Sequence, residues 1–191
     1  MTARRPAVFL DRDGVLNEGI ATTAGAPRPP RSRDELAIVP ECAALLERLR
    51  RAEYALIVVT NQPDIARGAV TARAVQDIHD ELESVLPIQA VYCCPHDSGD
   101  GCECRKPAPG MLHAAERDHS LDLERSWLIG DRWVDIAAAR GAGVRAVLIE
   151  HPWSWEATSS GSAPPDLAPD VRVRDLREAV AAVLESDAQK S

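Results

Sequence analysis

Ala7-Val8-Phe9-Leu10-Asp11-Arg12-Asp13-Gly14-Val15-Leu16-Asn17 is the stretch from which the rest of the chain is read. Four apolar residues run into two aspartates spaced i, i+2, and then a glycine. The apolar run has the character of a short buried strand, and Gly14 suits the tight turn that ends it. Open α/β sheets bind ligands at the carboxyl ends of their strands. Side chains at i and i+2 share one face of an extended chain, so both acids face one pocket if the strand geometry continues past Leu10. Carboxylates that close raise each other's pKa unless a cation neutralises them. The stretch therefore predicts a Mg²⁺ site with one carboxylate free to attack or to move a proton. Taken by itself, D-x-D-G also fits an acidic surface turn.

Working outward, helical and strand-like patterns alternate. Residues 40–53 carry Leu45, Leu46, Leu49 and Ala52 on one helical face, and 54–60 (YALIVVT) reads as a buried strand. Residues 71–85 place Val75, Ile78, Leu82 and Val85 on one side of a helix, with Thr71 as N-cap. Further strands are predicted at 88–92, 127–129, 145–150 and 171–173. Further helices are predicted at 108–119, with Met111, Leu112 and Ala115 inward, at 134–140, and around 176–184. Such alternation means a Rossmann-like α/β fold: a parallel sheet with helices on both faces. The stretches 17–38, 94–107 and 151–169 stay irregular, as functional or disordered loops do. No repeat or second domain is visible in residues 1–191, and the tail 187–191 is expected to lack order.

The length suffices for one full core, and a hydrophobic content of 45% is ordinary. A net charge of −8 argues against a nucleic-acid partner. No stretch approaches the roughly 18 apolar residues of a membrane span, and residues 1–6 lack the hydrophobic segment of a signal peptide. A cytoplasmic monomer is expected.

Of the 5 cysteines, Cys93, Cys94, Cys102 and Cys104 cluster beside His96. Without an export signal, this reads as metal ligation before disulfides. In the loop 93–107, C-x-H, a glycine-containing spacer and C-x-C offer three thiolates and an imidazole, a closed tetrahedral set for structural Zn²⁺. Lys106 follows directly; it and Lys190 are the only lysines among the 22 basic residues. A compact ammonium there can neutralise phosphoryl charge. Thr60-Asn61-Gln62 ends the second predicted buried strand, where a hydroxyl and backbone N–H groups can grip a phosphate or simply turn the chain. Gly130-Asp131 ends another strand, with Asp135 four residues on.

In this order, Asp11 with Asp13, Thr60, Lys106, and Asp131 with Asp135 match the four motifs of the haloacid-dehalogenase-type phosphatases. The chain resembles that superfamily from about residue 7 to 150. The string DRDGVLN, together with C-P-H…C-x-C-R-K-P, is similar to the branch holding histidinol phosphatase and heptose-bisphosphate phosphatase. The resemblance implies a minimal cap and a zinc loop using Cys94, His96, Cys102 and Cys104, with Cys93 left to pack. It implies that Asp11 attacks phosphorus to form an aspartyl-phosphate and that Asp13 acts as acid and then base. It further implies Mg²⁺ held by Asp11, the Asp13 carbonyl and Asp131, with Asp135 and Arg132 supporting. Thr60, Asn61 and Lys106 would hold the phosphoryl oxygens, with Gln62 among the substrate-binding residues.

The stretch 60–68 looks like its counterpart in the heptose enzymes, which implies a sugar bisphosphate substrate, D-glycero-D-manno-heptose 1,7-bisphosphate, whose second phosphate meets Arg105 and Arg67. Pro63, Asp64, the arginine-containing loop 18–33 and the stretch 151–155 (HPWSW) depart from that pattern. Histidinol phosphate or another small sugar phosphate is the competing substrate. A receiver-type signalling domain, also built on an acidic pocket with Thr and Lys, is the competing non-enzyme.

Overall fold

In the computed structural model, which describes residues 4–23 and 25–188, the apolar stretch is the buried part of strand β1 (Arg5–Leu10). A hairpin follows, β2 (Ile20–Thr22) against β3 (Gly25–Arg28), then a 3₁₀ turn at Arg33–Glu35. The chain continues through α1 (Cys42–Arg51), β4 (Ala55–Asn61), α2 (Ala72–Val85) and β5 (Ala90–Cys94). A 3₁₀ turn at Ser98–Asp100 leads to α3 (Gly110–His119), β6 (Leu121–Gly130) and α4 (Trp133–Gly141). It closes with β7 (Arg145–Ile149), β8 (Val171–Val173) and α5 (Leu176–Ala188).

The main sheet has 6 strands in the order β5-β4-β1-β6-β7-β8, all parallel to their neighbours. Alternate residues of each strand serve opposite faces. Ala7, Phe9, Ile57, Val59 and Leu128 pack with Met111, Leu112 and Ala115 of α3 and Ile136 and Ala139 of α4. Val8, Leu10, Leu56, Val58 and Ile129 pack on the other face with Leu45, Leu46 and Leu49 of α1, Ile78 and Leu82 of α2, and Val180 and Val183 of α5. Each such Val, Leu or Ile contributes about 1.5–3 kcal/mol by leaving water. Thr71 caps α2, its Oγ1 accepting the Ala74 N–H at 3.1 Å.

This topology decides where the site forms. The chain moves outward from β1 to β4 and β5, then returns to the other side of β1 with β6. The reversal opens a crevice between the carboxyl ends of β1 and β6, the ligand position of open α/β sheets. Asp11 and Asp131 stand there.

Several expectations shift. The strand placed at 88–92 lies at Ala90–Cys94, and the one placed at 127–129 begins at Leu121. Ala52 and Val85, expected on apolar faces, are exposed because each sits at the end of its helix. The loop 17–38, read as irregular, contains the β2–β3 hairpin, whose strands lack the β-branched alternation that marks half-buried strands. Helix α5 continues through Ala188, and the remainder of the tail expected to lack order, 189–191, lies outside the described residues. No helix among the described residues is long and apolar enough to cross a membrane.

Candidate active site

Asp11, Asp131 and Asp135 are delivered by a strand end or by the helix that follows. The Asp11 N–H donates to Ile129 O at 2.9 Å, extending the β1–β6 ladder by one rung and aiming the Asp11 side chain into the crevice. Asp131 directly follows β6, and Asp135 lies in the first turn of α4, where its Oδ2 accepts the Arg132 N–H at 3.0 Å. Carboxylate oxygens of Asp11, Asp131 and Asp135 lie within 4.8 Å of one another.

Lys106 reaches into this cluster. Its Nζ is 2.8 Å from Asp11 Oδ1 and 2.6 Å from Asp135 Oδ1, and it donates to Val59 O at 2.8 Å. The lysine is only 1% exposed, so its charge depends on these partners. Burial by itself lowers its pKa, but Asp11 and Asp135 outweigh burial and hold it protonated. One ammonium does not balance three acids. Burial, with Asp135 and Asp13 adding to it against the pull of Lys106, pushes Asp11 up to about 7. Burial, then Asp11 and Asp135, raises Asp131 well above the carboxylate range.

The cluster fits a hard divalent cation. Asp131 Oδ1 is buried without a hydrogen-bond partner, while Oδ2 accepts the Trp153 indole N–H at 3.1 Å. Several carboxylate oxygens, one of them unsatisfied, are the donor chemistry of Mg²⁺. Two glycines permit the close approach. A Cβ on Gly14, whose φ is +86°, would stand 2.5 Å from Asp131 Oδ2, and one on Gly130 would stand 2.3 Å from Asp135 Cβ.

Asp13 lines the same cavity, but its carboxylate stays out of the cluster. The extended geometry ends at Asp11: Leu16 and Asn17 donate their N–H groups to Arg12 O, curling the chain into a turn. Asp13 Oδ1 accepts from Arg12 Nε and Asn17 Nδ2, both at 3.1 Å, and Oδ2 accepts from Arg12 Nη2 at 3.0 Å and Gln62 Nε2 at 2.8 Å. The Arg12 side chain is fully buried, with Nη1 3.2 Å from His79 Nε2. Burial, then Arg12, lowers the His79 pKa to about 4, so its imidazole is neutral and accepts the guanidinium N–H. Sequence reasoning missed Arg12 and His79. A histidine among Val75, Ile78 and Leu82 on the apolar side of α2 was the available signal.

Thr60, Asn61 and Gln62 all engage protein partners. Thr60 and Gln62 are each 1% exposed, and the Gln62 amide spans Thr60 Oγ1 and Asp13 Oδ2 at 2.9 and 2.8 Å. Gln62 thus braces Asp13 from beneath and does not line the cavity. Asn61 does line it, with its amide engaged by the main chain of Lys106.

The cavity above the acids has a volume of about 530 Å³. Its walls carry arginines, most of them tied to acids. Arg28 is bidentate to Glu35 at 2.7 and 2.8 Å, Arg31 pairs with Asp64 at 2.7 Å, and Arg67 pairs with Asp97 at 2.7 Å. Arg105 donates to His96 O at 3.2 Å and Ser159 Oγ at 3.1 Å. Among the described residues, neither Arg105 nor Arg132 pairs with a carboxylate. The expected anion contacts Arg67 and Arg105 therefore differ in that Arg67 forms a salt bridge with Asp97 and Arg105 forms none among the described residues.

The cysteine loop closes on itself. Cys94, His96, Cys102 and Cys104 bring one ligand atom each within 4.8 Å of the others. The Sγ–Sγ separations are 3.1, 3.5 and 3.7 Å, and His96 Nδ1 lies 3.3 and 3.6 Å from the sulfurs of Cys104 and Cys94. A tetrahedron of Zn–S bonds of about 2.3 Å has edges of about 3.8 Å, so the quartet fits Zn²⁺. Cys93 is outside it and half-buried at the end of β5.

The family model for haloacid dehalogenase-like hydrolases matches residues 7–140, and a HAD-hydrolase-like model matches residues 103–179. A D-glycero-beta-D-manno-heptose-1,7-bisphosphate 7-phosphatase of Bordetella bronchiseptica is 32% identical over 162 residues, covering 82% of this chain and 87% of that protein. A D-glycero-D-manno-heptose-1,7-bisphosphate 7-phosphatase of Thermosynechococcus vestitus is 34% identical, covering 92% and 94%. The crystal structure of the B. bronchiseptica D,D-heptose 1,7-bisphosphate phosphatase, complexed with magnesium and phosphate, superposes with a TM-score of 0.74 at 29% identity, covering 95% of this chain and 99% of that one.

Proposed function

This chain belongs to the haloacid dehalogenase-like hydrolase family and is a phosphatase, and we propose that it removes the 7-phosphate of D-glycero-D-manno-heptose 1,7-bisphosphate. The observation that carries the substrate reading is the presence of two differently partnered cations on the cavity wall. Lys106 sits among Asp11, Asp131 and Asp135, and Arg105, also on the cavity wall, offers a guanidinium that forms no salt bridge among the described residues. A substrate with two phosphates supplies an anion for each.

In this reading Asp11 attacks phosphorus. The bond to the sugar oxygen breaks, its electron pair leaves with the alkoxide, and Asp13 protonates that oxygen. Asp13 then takes a proton from water, the water oxygen attacks the aspartyl-phosphate, and inorganic phosphate leaves as the Asp11 carboxylate is restored. The braces from Arg12, Asn17 and Gln62 keep Asp13 aimed while it changes protonation state. Lys106 offsets charge on the phosphoryl oxygens, and Thr60 supports Asp13 through Gln62. Asp11, Asp131 and the Asp13 carbonyl would hold Mg²⁺, with Asp135 and Arg132 behind them; when bound, the ion supplies positive charge against the phosphoryl oxygens. Four protein ligands would leave a bound Zn²⁺ no open position, so its part would be to shape the loop that presents Arg105 and Lys106. Reduced thiolates of this kind suit the cytoplasm.

The test is Mg²⁺-dependent phosphate release from both anomers of the heptose bisphosphate, histidinol phosphate and hexose monophosphates, with Asp11→Asn as control. The bisphosphate is expected to lead by tenfold or more in kcat/KM, about 1.4 kcal/mol of transition-state binding. Arg105→Ala is expected to remove that lead while sparing the monophosphates. A lead for histidinol phosphate would overturn the substrate assignment and leave the phosphatase chemistry standing.

A further inference from the structure

We propose that Trp153 is a positioning residue for the cation site: its indole N–H holds one oxygen of Asp131 so that the other faces Asp11 and Asp135. The inference rests on reading these acids as the cation's seat.

Segment 151–156 brackets Asp131 at two points. Trp153 Nε1 donates to Asp131 Oδ2 at 3.1 Å, and Ser154 Oγ donates to the Asp131 carbonyl at 2.5 Å. The bracket is itself anchored. Ser154 is fully buried, its Oγ accepts the His151 N–H at 2.9 Å, and its carbonyl accepts the Trp133 N–H, the first of α4, at 2.9 Å. The Trp153 ring stacks on His151 at 4.6 Å between centroids and 11° between planes, which sets its orientation.

The consequence falls on a single torsion. The terminal torsion of an aspartate is broad and nearly two-fold, so the backbone leaves open which oxygen points where. Trp153 takes Oδ2, the atom that lies against Gly14, and Oδ1 is left buried without a hydrogen-bond partner on an aspartate whose carboxylate belongs to the acidic cluster. Hydrogen bonds behind a metal ligand commonly change metal affinity 10–100-fold.

Trp153→Phe keeps the ring and its stack on His151 and deletes only the donor. Trp155→Phe serves as the matched control, since its indole N–H goes to Glu150 in the same segment and not to Asp131. Mn²⁺ binding is titrated by electron paramagnetic resonance on the zinc-containing protein without substrate. The Trp153 variant is expected to bind Mn²⁺ about tenfold or more weakly, with the control at the wild-type value. In turnover, the Mg²⁺ concentration for half-maximal rate should rise in parallel while kcat at saturating Mg²⁺ returns toward wild type. Unchanged Mn²⁺ affinity in Trp153→Phe would overturn the proposal. Equal weakening in both variants would overturn it too, assigning the effect to the segment as a whole. Wild-type protein that binds no Mn²⁺ would remove the cation seat itself. None of these readouts depends on which sugar phosphate is the substrate.

Discussion

Asn61 forms a closed pair of hydrogen bonds with the main chain of Lys106: its Nδ2 donates to the Lys106 carbonyl and its Oδ1 accepts the Lys106 N–H, both at 3.0 Å. The side-chain amide thus extends the end of β4 by mimicking one more strand residue, and it fixes the lysine's backbone beside Asp11. Asn61→Leu removes both bonds and leaves two backbone groups to find new partners. The expected result is a stability loss of about 2 kcal/mol and a fall in kcat/KM of about tenfold or more, because small misplacements of a charged group cost rate steeply. Denaturant unfolding and steady-state phosphate release check this. Wild-type kinetics would show that the zinc loop holds Lys106 unaided.

Zinc removal should act through the same lysine. Cys102 Sγ lies 3.7 and 3.5 Å from the sulfurs of Cys94 and Cys104, and Lys106 follows Cys104 by two residues. Cys102→Ser is expected to lower bound zinc well below one per chain and to raise KM with no recovery on adding Mg²⁺. Elemental analysis paired with kinetics reads both. Normal turnover in a zinc-free protein would refute the structural role of the metal.

His79 gives a pH dependence whose sign is fixed. Burial and the adjacent Arg12 lower its pKa from the ordinary 6.5 to about 4. The unfolded chain therefore binds more protons between these values, and stability rises with pH through that window. Its contribution is complete above pH 6.5 and is lost as pH falls toward 4. The full effect is of order 3 kcal/mol at one pKa unit per 1.36 kcal/mol. His79→Gln, which keeps an acceptor for Arg12 and does not titrate, should flatten the slope of unfolding free energy between pH 6.5 and 4. An identical slope would mean that His79 is solvated in the native protein.

Gly14 has a φ of +86°, and an added Cβ would lie 2.5 Å from Asp131 Oδ2. Gly14→Ala combines backbone strain of about 1–2 kcal/mol with a collision that displaces a carboxylate of the cation site. A lower Tm is expected together with a higher Mg²⁺ requirement. Recovery of full activity at wild-type Mg²⁺ levels would show that the β1 turn relaxes around the methyl group.

The frame of the protein was legible in the sequence, and so were the zinc quartet and the strand-end acids. Strands and helices write their periodicity locally, and four soft and nitrogen ligands within one loop need no distant partner to be recognised. The hairpin Ile20–Thr22 with Gly25–Arg28 was not legible, because its strands face no buried layer that would impose alternation.

The residues at the carboxyl end of the sheet could be read from the chain alone: buried strands run until they reach polar residues, and Asp11, Asn61 and Asp131 mark where the buried runs of β1, β4 and β6 end. How those residues divide the work follows from the three-dimensional arrangement. Asp13 is braced by Arg12 and Gln62, Asp135 joins Asp11 and Asp131, Asn61 grips Lys106, and Trp153 reaches Asp131. Gln62 and Asp13 are 49 residues apart, and Asn61 and Lys106 are 45 apart. Sheet order and the turn after β1 bring them together, and neither hydrophobic period nor motif spacing encodes which oxygen of a carboxylate meets which donor.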